Sequence, residues 1–402
     1  MTIGNLPLVA GNLARAGWNI AAKRGRTLLQ RLRRARKQAR EAGKDVRAQA
    51  RGAVVASRDA GRSAYSGAVK SGRYWSRLGE RTMPKLRREL AVRRELRDLA
   101  RGRGPILVGP WLSEVGYEAL YWVPFLRWFV DHFGIDRSRL VVVSRGGVSG
   151  WYTGLAEQYV ELFDLYPAEE FVSRNTARQR SGEQKQHGLA DFDAEILERV
   201  RALPGLSGAS VCHPSAMFRL LRQFWLGNES LEYLLDHLIY ATVAPPAIDV
   251  PGLPAHFTAM KFYTGAALPD SEANRQQLRA LVERVAARGP IVLLDTRQAF
   301  DEHRDYLFDG VPGVTSLAAS LTPQYNLAVQ TEVIRRADRF IGTCGSLAWL
   351  GPMLGTATVG IYDDDHLLTP HLYAARHAYA SMDAAPFTAL DLRAARLLLG
   401  SD

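Results

Sequence analysis

Cysteine is almost absent: Cys212 and Cys344 are the only two in 402 residues. Two distant thiols make no disulfide framework and offer no zinc-site spacing, so a reduced, cytoplasmic setting is expected. Long apolar runs are missing too. The richest, Ala119–Val130, is broken by Pro124 and Arg127, and it falls short of the ~20 residues a membrane span requires. The first twenty residues lack the basic n-region of a secretory signal, so none is expected there. No G-x-G-x-x-G follows the first strand-like run, Ile106–Gly109, which argues against a dinucleotide enzyme.

Acidic residues are scarce at one end. Residues 1–103 hold 27 Lys and Arg against 7 Asp and Glu, whereas the remainder holds 25 against 34. The formal charge of +11 therefore belongs to the N-terminal quarter, and the body is mildly acidic. Arg31–Arg40 is basic and rich in helix formers, with Leu28, Leu29, Leu32 and Ala35 on one face. Leu86, Leu90, Leu96 and Leu99 suggest a second stripe after Pro84. Glycines at 43, 52, 61, 67, 72 and 79 break any long helix. The expectation is a solvated, partly helical or disordered extension. It also has the composition of a peripheral anchor for an anionic membrane surface, with Trp18, Tyr74 and Trp75 entering the interface. Nucleic acid is not an expected partner, because no nucleic-acid-binding signature accompanies the charge.

What the body does have is regular alternation of strand and helix signals. The clearest stretch is Thr331–Ile361. A helical segment is followed by a buried-strand run, Arg339–Gly342, and by a small-residue turn, Gly342 to Ser346. A compact apolar helix, Leu347–Leu354, and a second strand, Ala357–Ile361, complete it. This order signals a parallel sheet with crossover helices. A glycine-rich turn between a strand end and a helix start gathers free main-chain N–H groups that suit an anion, above all phosphate. The same glycines also serve simply to let the chain turn.

A similar unit opens the body. Ile106–Gly109 runs into Pro110–Glu118, an aromatic helical segment follows, and Leu140–Val143 ends in Ser144-Arg145-Gly146-Gly147. Ligands bind beyond the carboxyl ends of such strands. Glu114 fits a general base for an incoming hydroxyl, and less readily an ordinary acid at a helix start; Glu118, four residues on, reads first as such a helix-start acid. Arg145 fits a phosphate or acceptor contact, or a surface ion pair. His213, held extended before Pro214, is a further catalytic candidate. Pro245, Pro246, Pro251 and Pro254 read as an interdomain linker. Beyond it, strand candidates are Thr258–Tyr263, Ile291–Asp295, Val314–Leu317, Arg339–Gly342, Ala357–Ile361 and Ala378–Ser381. A helix is expected over Ala389–Leu399. Lys261 ends one strand. Asp295-Thr296-Arg297 ends the next, where Arg297 suits a diphosphate or an ion pair with Asp301 or Glu302. Asp363-Asp364-Asp365-His366 has metal-ligand chemistry, and an acidic surface loop is the preferred reading.

From about Gly104 onward the chain resembles prokaryotic GT-B glycosyltransferases distantly akin to the O-fucosyltransferase type. The segments that carry the resemblance are GPWLSEVGYEALYWVPFLRW, VVVSRGG with Trp151-Tyr152, CHPSAMFRL, KFY, LLDTRQAFDEHRDY and NLAVQTEVIRRADRFIGTCGSLAWLGPMLG. The resemblance implies an α/β fold of two Rossmann-like domains facing across a cleft. Residues 104–245 would bind acceptor, residues 246–402 a nucleotide-sugar donor, and residues 1–103 would form the extension. It implies donor contacts from Lys261, Arg297, Thr343, Gly345 and Ser346, and acceptor contacts from Arg145, Trp151 and Tyr152. Catalysis would fall to Glu114, Glu118 and His213, without a bound metal or other cofactor. The expected activity is sugar transfer to a glycan or lipid-linked acceptor in cell-surface polysaccharide synthesis, in the cytoplasm or at the inner membrane face. The competing expectation is a non-catalytic α/β scaffold with a basic membrane- or nucleic-acid-binding arm.

Overall fold

Two parallel sheets, each wrapped by helices, carry the fold. The computed structural model describes residues 87–394, apart from residues 184, 245, 247 and 298–302. The basic stretches before residue 87, with the anchor expected of them, lie outside the described residues, as do Asp301, Glu302 and the end of the helix expected at Ala389–Leu399.

Lobe 1 begins earlier than expected. Residues 87–101 form helix α1, whose Val92 and Leu96 are buried in the core around Trp128 and Phe218. Glu95 pairs with Arg219 at 2.6 Å, and Arg93 meets His237 Nε2 at 2.6 Å. This helix therefore packs with lobe 1, although the sequence grouped it with the extension. β1 (Ile106–Val108) follows. Then come α2 (Val115–Tyr117), a π turn over Glu118–Trp122, and α3 (Val123–Phe133). β2 (Leu140–Ser144), β3 (Gln158–Glu161), α4 (Ala168–Arg178), α5 (Asp191–Arg201), β4 (Ser210–Cys212) and α6 (Ser215–Trp225) complete the lobe. Strands β1 and β2 are continuous Ile, Leu and Val runs because helices cover both faces of the sheet.

Lobe 2 holds β5 (Thr258–Lys261), α7 (Glu272–Ala286), β6 (Ile291–Leu293), β7 (Val314–Ser316) and α8 (Asn326–Arg336). β8 (Arg339–Thr343), α9 (Leu347–Leu350), β9 (Thr358–Tyr362), α10 (Thr369–Met382) and β10 (Phe387–Asp391) follow. Two expectations are corrected here. Ala378–Ser381 is part of α10, not a strand; its Ala374, Ala375 and Ala378 are small enough to lie flat and buried against the core. Residues 387–391, near the expected last helix, form a strand that extends the sheet beside β9.

All strand pairs between these strands are parallel. The orders are β3-β2-β1-β4 in lobe 1 and β10-β9-β8-β5-β6-β7 in lobe 2. In each sheet the chain first builds outward on one side of its opening strand, then returns to the other side, adding one strand in lobe 1 and three in lobe 2. The strand order thus reverses between β1 and β4, and again between β5 and β8. Crevices open beyond the carboxyl ends at such reversals. The lobes also share one apolar core and a tight joint. Gly146 O accepts from Leu327 N and Ala328 N at the start of α8. A Cβ on Gly146 would stand 2.9 Å from Leu327 Cγ, and its φ of +78° is itself unfavourable for other residues.

Candidate active site

The reversal in lobe 2 and the end of β1 in lobe 1 open on one cavity of about 480 Å³, walled by each lobe. Lobe 1 supplies the loop after β1, Leu112 to Gly116. Lobe 2 supplies the loops after β5 and β8, including Tyr263–Ala267 and Thr343–Ser346. This volume suits a nucleotide-sized ligand.

The two walls touch at Gly116. A Cβ there would lie 2.7 Å from Ser346 N and 3.1 Å from Ser346 Cα, so only glycine admits the bend. The bend is unusual in its backbone. Gly345 has φ +135°, and Ser346 has φ 42° and ψ −121°, a region that side-chain-bearing residues avoid. Such strain gathers at functional sites. Among the described residues, the N–H groups of Gly345 and Ser346 meet no protein acceptor. The neighbouring Thr343 hydroxyl accepts from Tyr263 N at 2.9 Å and donates to Tyr263 O at 3.1 Å, locking the β5 and β8 ends together. Thr343, Gly345 and Ser346 therefore stand together in the cavity wall.

Glu114 is exposed in the cavity across from this bend, and it also borders a smaller cavity of about 100 Å³. Its loop is braced from behind. Arg145, buried, donates to Trp111 O at 2.9 Å and to Ser113 O at 3.0 Å. Gln186, also buried, accepts from Leu112 N at 2.9 Å and donates to Asp193 at 2.6 Å. His213 lies behind that pair. Its Nδ1 accepts from Ser215 N, so its Nε2 donates to Asp193 at 3.2 Å. His213 is thus a brace in the lobe-1 core, not a catalytic group facing the cavity. Arg145 borders the smaller cavity, but its donors are turned to the loop, so it positions that loop in place of touching an acceptor.

Five further expected site residues are otherwise engaged. Glu118 is completely buried, with Ser144 and Tyr152 hydroxyls donating to Oε1 at 2.6 Å each and Oε2 left without a partner. Burial raises its pKa to about 7, against the opposing pull of Arg145 and the two hydroxyls. Tyr152 is held in that network, and Trp151 donates to Thr331 at 3.2 Å within the lobe joint. Neither aromatic reaches the cavity, because a buried joint between lobes recruits large side chains as readily as a sugar site does. Arg297 lines neither cavity. It is about half exposed and is engaged with Asp295 at 3.3 Å and with Asp309. Lys261 does border the smaller cavity, yet Asp305 neutralises it at 3.0 Å and Leu294 O takes a further N–H.

The cavity also holds groups that no sequence pattern announced. Lys185 donates to the Tyr117 hydroxyl at 2.6 Å, and that hydroxyl lies 3.1 Å from His371 Nε2 on α10. His371 Nδ1 in turn lies 2.6 Å from the Tyr121 hydroxyl. An ammonium only donates, which leaves Tyr117 to donate to Nε2 and Nδ1–H to donate to Tyr121. Burial, with the Lys185 charge beside it, lowers the His371 pKa to about 3, consistent with this neutral tautomer. Among the described residues no group of three or more His, Cys, Asp or Glu is placed to hold a metal ion. In the acidic run, Asp363 accepts from Asn274, Asp364 from His366 N, and Asp365 pairs with Arg393.

No protein-family model matches the chain, and no curated protein matches it. Similar solved structures include a family 9 glycosyltransferase from Veillonella parvula, at 11% identity and a TM-score of 0.38, covering 73% of this chain and 87% of that one. The E. coli heptosyltransferase WaaC with ADP is 13% identical with a TM-score of 0.36, covering 74% of this chain and 99% of its own. The iron-containing dodecameric glycosyltransferase TibC from enterotoxigenic E. coli is 11% identical with a TM-score of 0.35. That match covers 64% of this chain and spans 58% of the TibC chain. Likenesses this loose carry no functional weight, and none of these structures shows the expected relationship to fucosyltransferases.

Proposed function

We propose that the chain is a glycosyltransferase that moves a sugar from a nucleotide-sugar donor to a glycan or lipid-linked acceptor in cell-surface polysaccharide synthesis. One observation carries this reading: loops at the carboxyl ends of strands from both sheets, after β1, β5 and β8, wall the same cavity, with main-chain amides that no described residue accepts from on one wall and a carboxylate on the other. An inverting sugar transfer uses groups of both kinds. The Gly345 and Ser346 amides would take the donor diphosphate and the charge that grows on it as the glycosidic bond breaks. Glu114 would take the proton of the acceptor hydroxyl in an inverting transfer. Holding donor and acceptor on opposite lobes aligns the two reactants before the bond forms. We place the reaction in the cytoplasm, with the basic extension against an anionic membrane surface.

The test is a thermal-shift screen of the full chain with nucleoside diphosphates and their sugars. A bound ligand at a hundred times its Kd stabilises the fold by about 2.7 kcal/mol, so at least one nucleotide should raise the melting temperature by several degrees. If none does, the scaffold reading replaces this one.

A further inference from the structure

Among the described residues, Lys185 is the one Lys or Arg that lines the larger cavity, and the proposed reaction leaves it without a task. It sits on the lobe-1 side of the cavity, beyond α4. Its neighbour Gln186 fixes the chain there through bonds to Pro110 O at 2.8 Å, to Asp193 and to Leu112 N. The ammonium gives one N–H to Tyr117 and stands 4.3 Å from the centroid of that ring. Two N–H donors remain. Among the described residues no carboxylate lies within ion-pair distance of Nζ, in contrast to Lys261 with its Asp305. Burial lowers the Lys185 pKa, while Glu114 opposes that shift from beyond pairing distance and favours the charged form. A partly desolvated ammonium without a counter-ion carries a cost that an incoming anion removes.

We propose that Lys185 forms a phosphoryl-binding subsite on the lobe-1 half of the cavity. A lone ammonium acts as a point charge, and its attraction grows with the charge of its partner, so a compact, multiply charged phosphoryl group is a better match than a singly charged carboxylate. The phosphate comes either from the donor diphosphate or from an acceptor that carries its own. This deepens the sugar-transfer reading and rests on it for the source of the phosphate, but not for the subsite itself.

Calorimetry on the full chain tests it, with inorganic phosphate and inorganic pyrophosphate as probes. Wild type, Lys185→Gln and Lys185→Arg are compared, with melting temperatures to confirm folding. Lys185→Gln should weaken at least one probe about 10- to 100-fold, the worth of a charge-assisted hydrogen bond, and Lys185→Arg should restore part of the loss. Repeating the phosphate titration with excess UDP, GDP or ADP separates the sources. Displacement of phosphate by a nucleotide assigns the subsite to the donor; phosphate that still binds beside the nucleotide assigns it to the acceptor. No binding of either probe to wild type, or affinities unchanged in Lys185→Gln, overturns the proposal. Lys185-dependent pyrophosphate binding without any nucleotide-sugar binding would keep the subsite and remove sugar transfer. Normal nucleotide-sugar binding with no effect of Lys185→Gln on either probe would do the reverse.

Discussion

Gly116→Ala probes the contact on which the cavity depends. The added methyl would stand 2.7 Å from Ser346 N, 3.1 Å from Ser346 Cα and 3.1 Å from Trp349 Cδ1. Two of those atoms are main chain, so relief requires the lobe-1 loop and the lobe-2 bend to separate by a few tenths of an ångström. Overpacking of this kind costs about 1–3 kcal/mol. Gly116 lies within α2, and the better helix propensity of alanine returns up to about 1 kcal/mol. The net loss is then about 1–2 kcal/mol, readable in urea unfolding. Shifting the amides also degrades alignment with a bound diphosphate, and the affinity for whichever nucleotide the screen identifies should fall roughly tenfold or more. Gly134→Ala is the control. It meets nothing within 4 Å, but its φ is +65°, so it should lose about 1–2 kcal/mol of stability with nucleotide affinity unchanged. The reasoning fails if Gly116→Ala binds nucleotide like wild type, or if both variants weaken binding alike.

Other substitutions separate backbone from side-chain roles. Ser346→Gly relieves the strain at φ 42° and should stabilise the fold by about 1 kcal/mol while keeping nucleotide affinity, because the proposed contact is the main-chain amide; a tenfold loss in calorimetry would transfer that role to the hydroxyl. Glu114→Gln should lower turnover roughly 10²- to 10⁴-fold with nucleotide affinity intact, and near-wild-type turnover would remove the base assignment. Glu118 predicts a pH dependence. Its folded pKa of about 7 lies above the ordinary value of 4.5, so its contribution to stability is complete below about 4.5 and is lost as pH rises through about 7. The loss is of order 3 kcal/mol. Glu118→Gln, which imitates the protonated carboxyl, should therefore gain on wild type between pH 5 and pH 8 in urea unfolding, and a constant gap between the two proteins would refute the buried-acid account.

Several strand ends, those of β1, β2, β5, β6 and β8 among them, were legible because a short apolar run is closed there by glycine or a polar residue, whereas β3 (QYVE) and β10 (FTALD) lack that pattern. Arg339–Thr343 followed by the Gly345-Ser346 bend stands close to where its pattern placed it. The lateral surroundings of those ends were not legible. Glu114 and Glu118 would share a face only on one continuous α-helix; instead the helix starts at Val115, and a π turn from Glu118 sends that carboxyl into the core while Glu114 stays in the loop. Trp151 and Tyr152 have the composition of a sugar platform, but the Gly146–Leu327 joint beside them claims their volume. Lys185 and His371 reach Tyr117 across 68 and 254 residues of sequence, and separations that large leave no spacing to recognise. The division has a physical cause. A strand end is set by local turn chemistry, which the sequence writes directly, whereas a cavity wall is set by which elements the sheet order brings together. The wall residues with the least local signature, Lys185 and His371, are accordingly those that only the folded topology reveals.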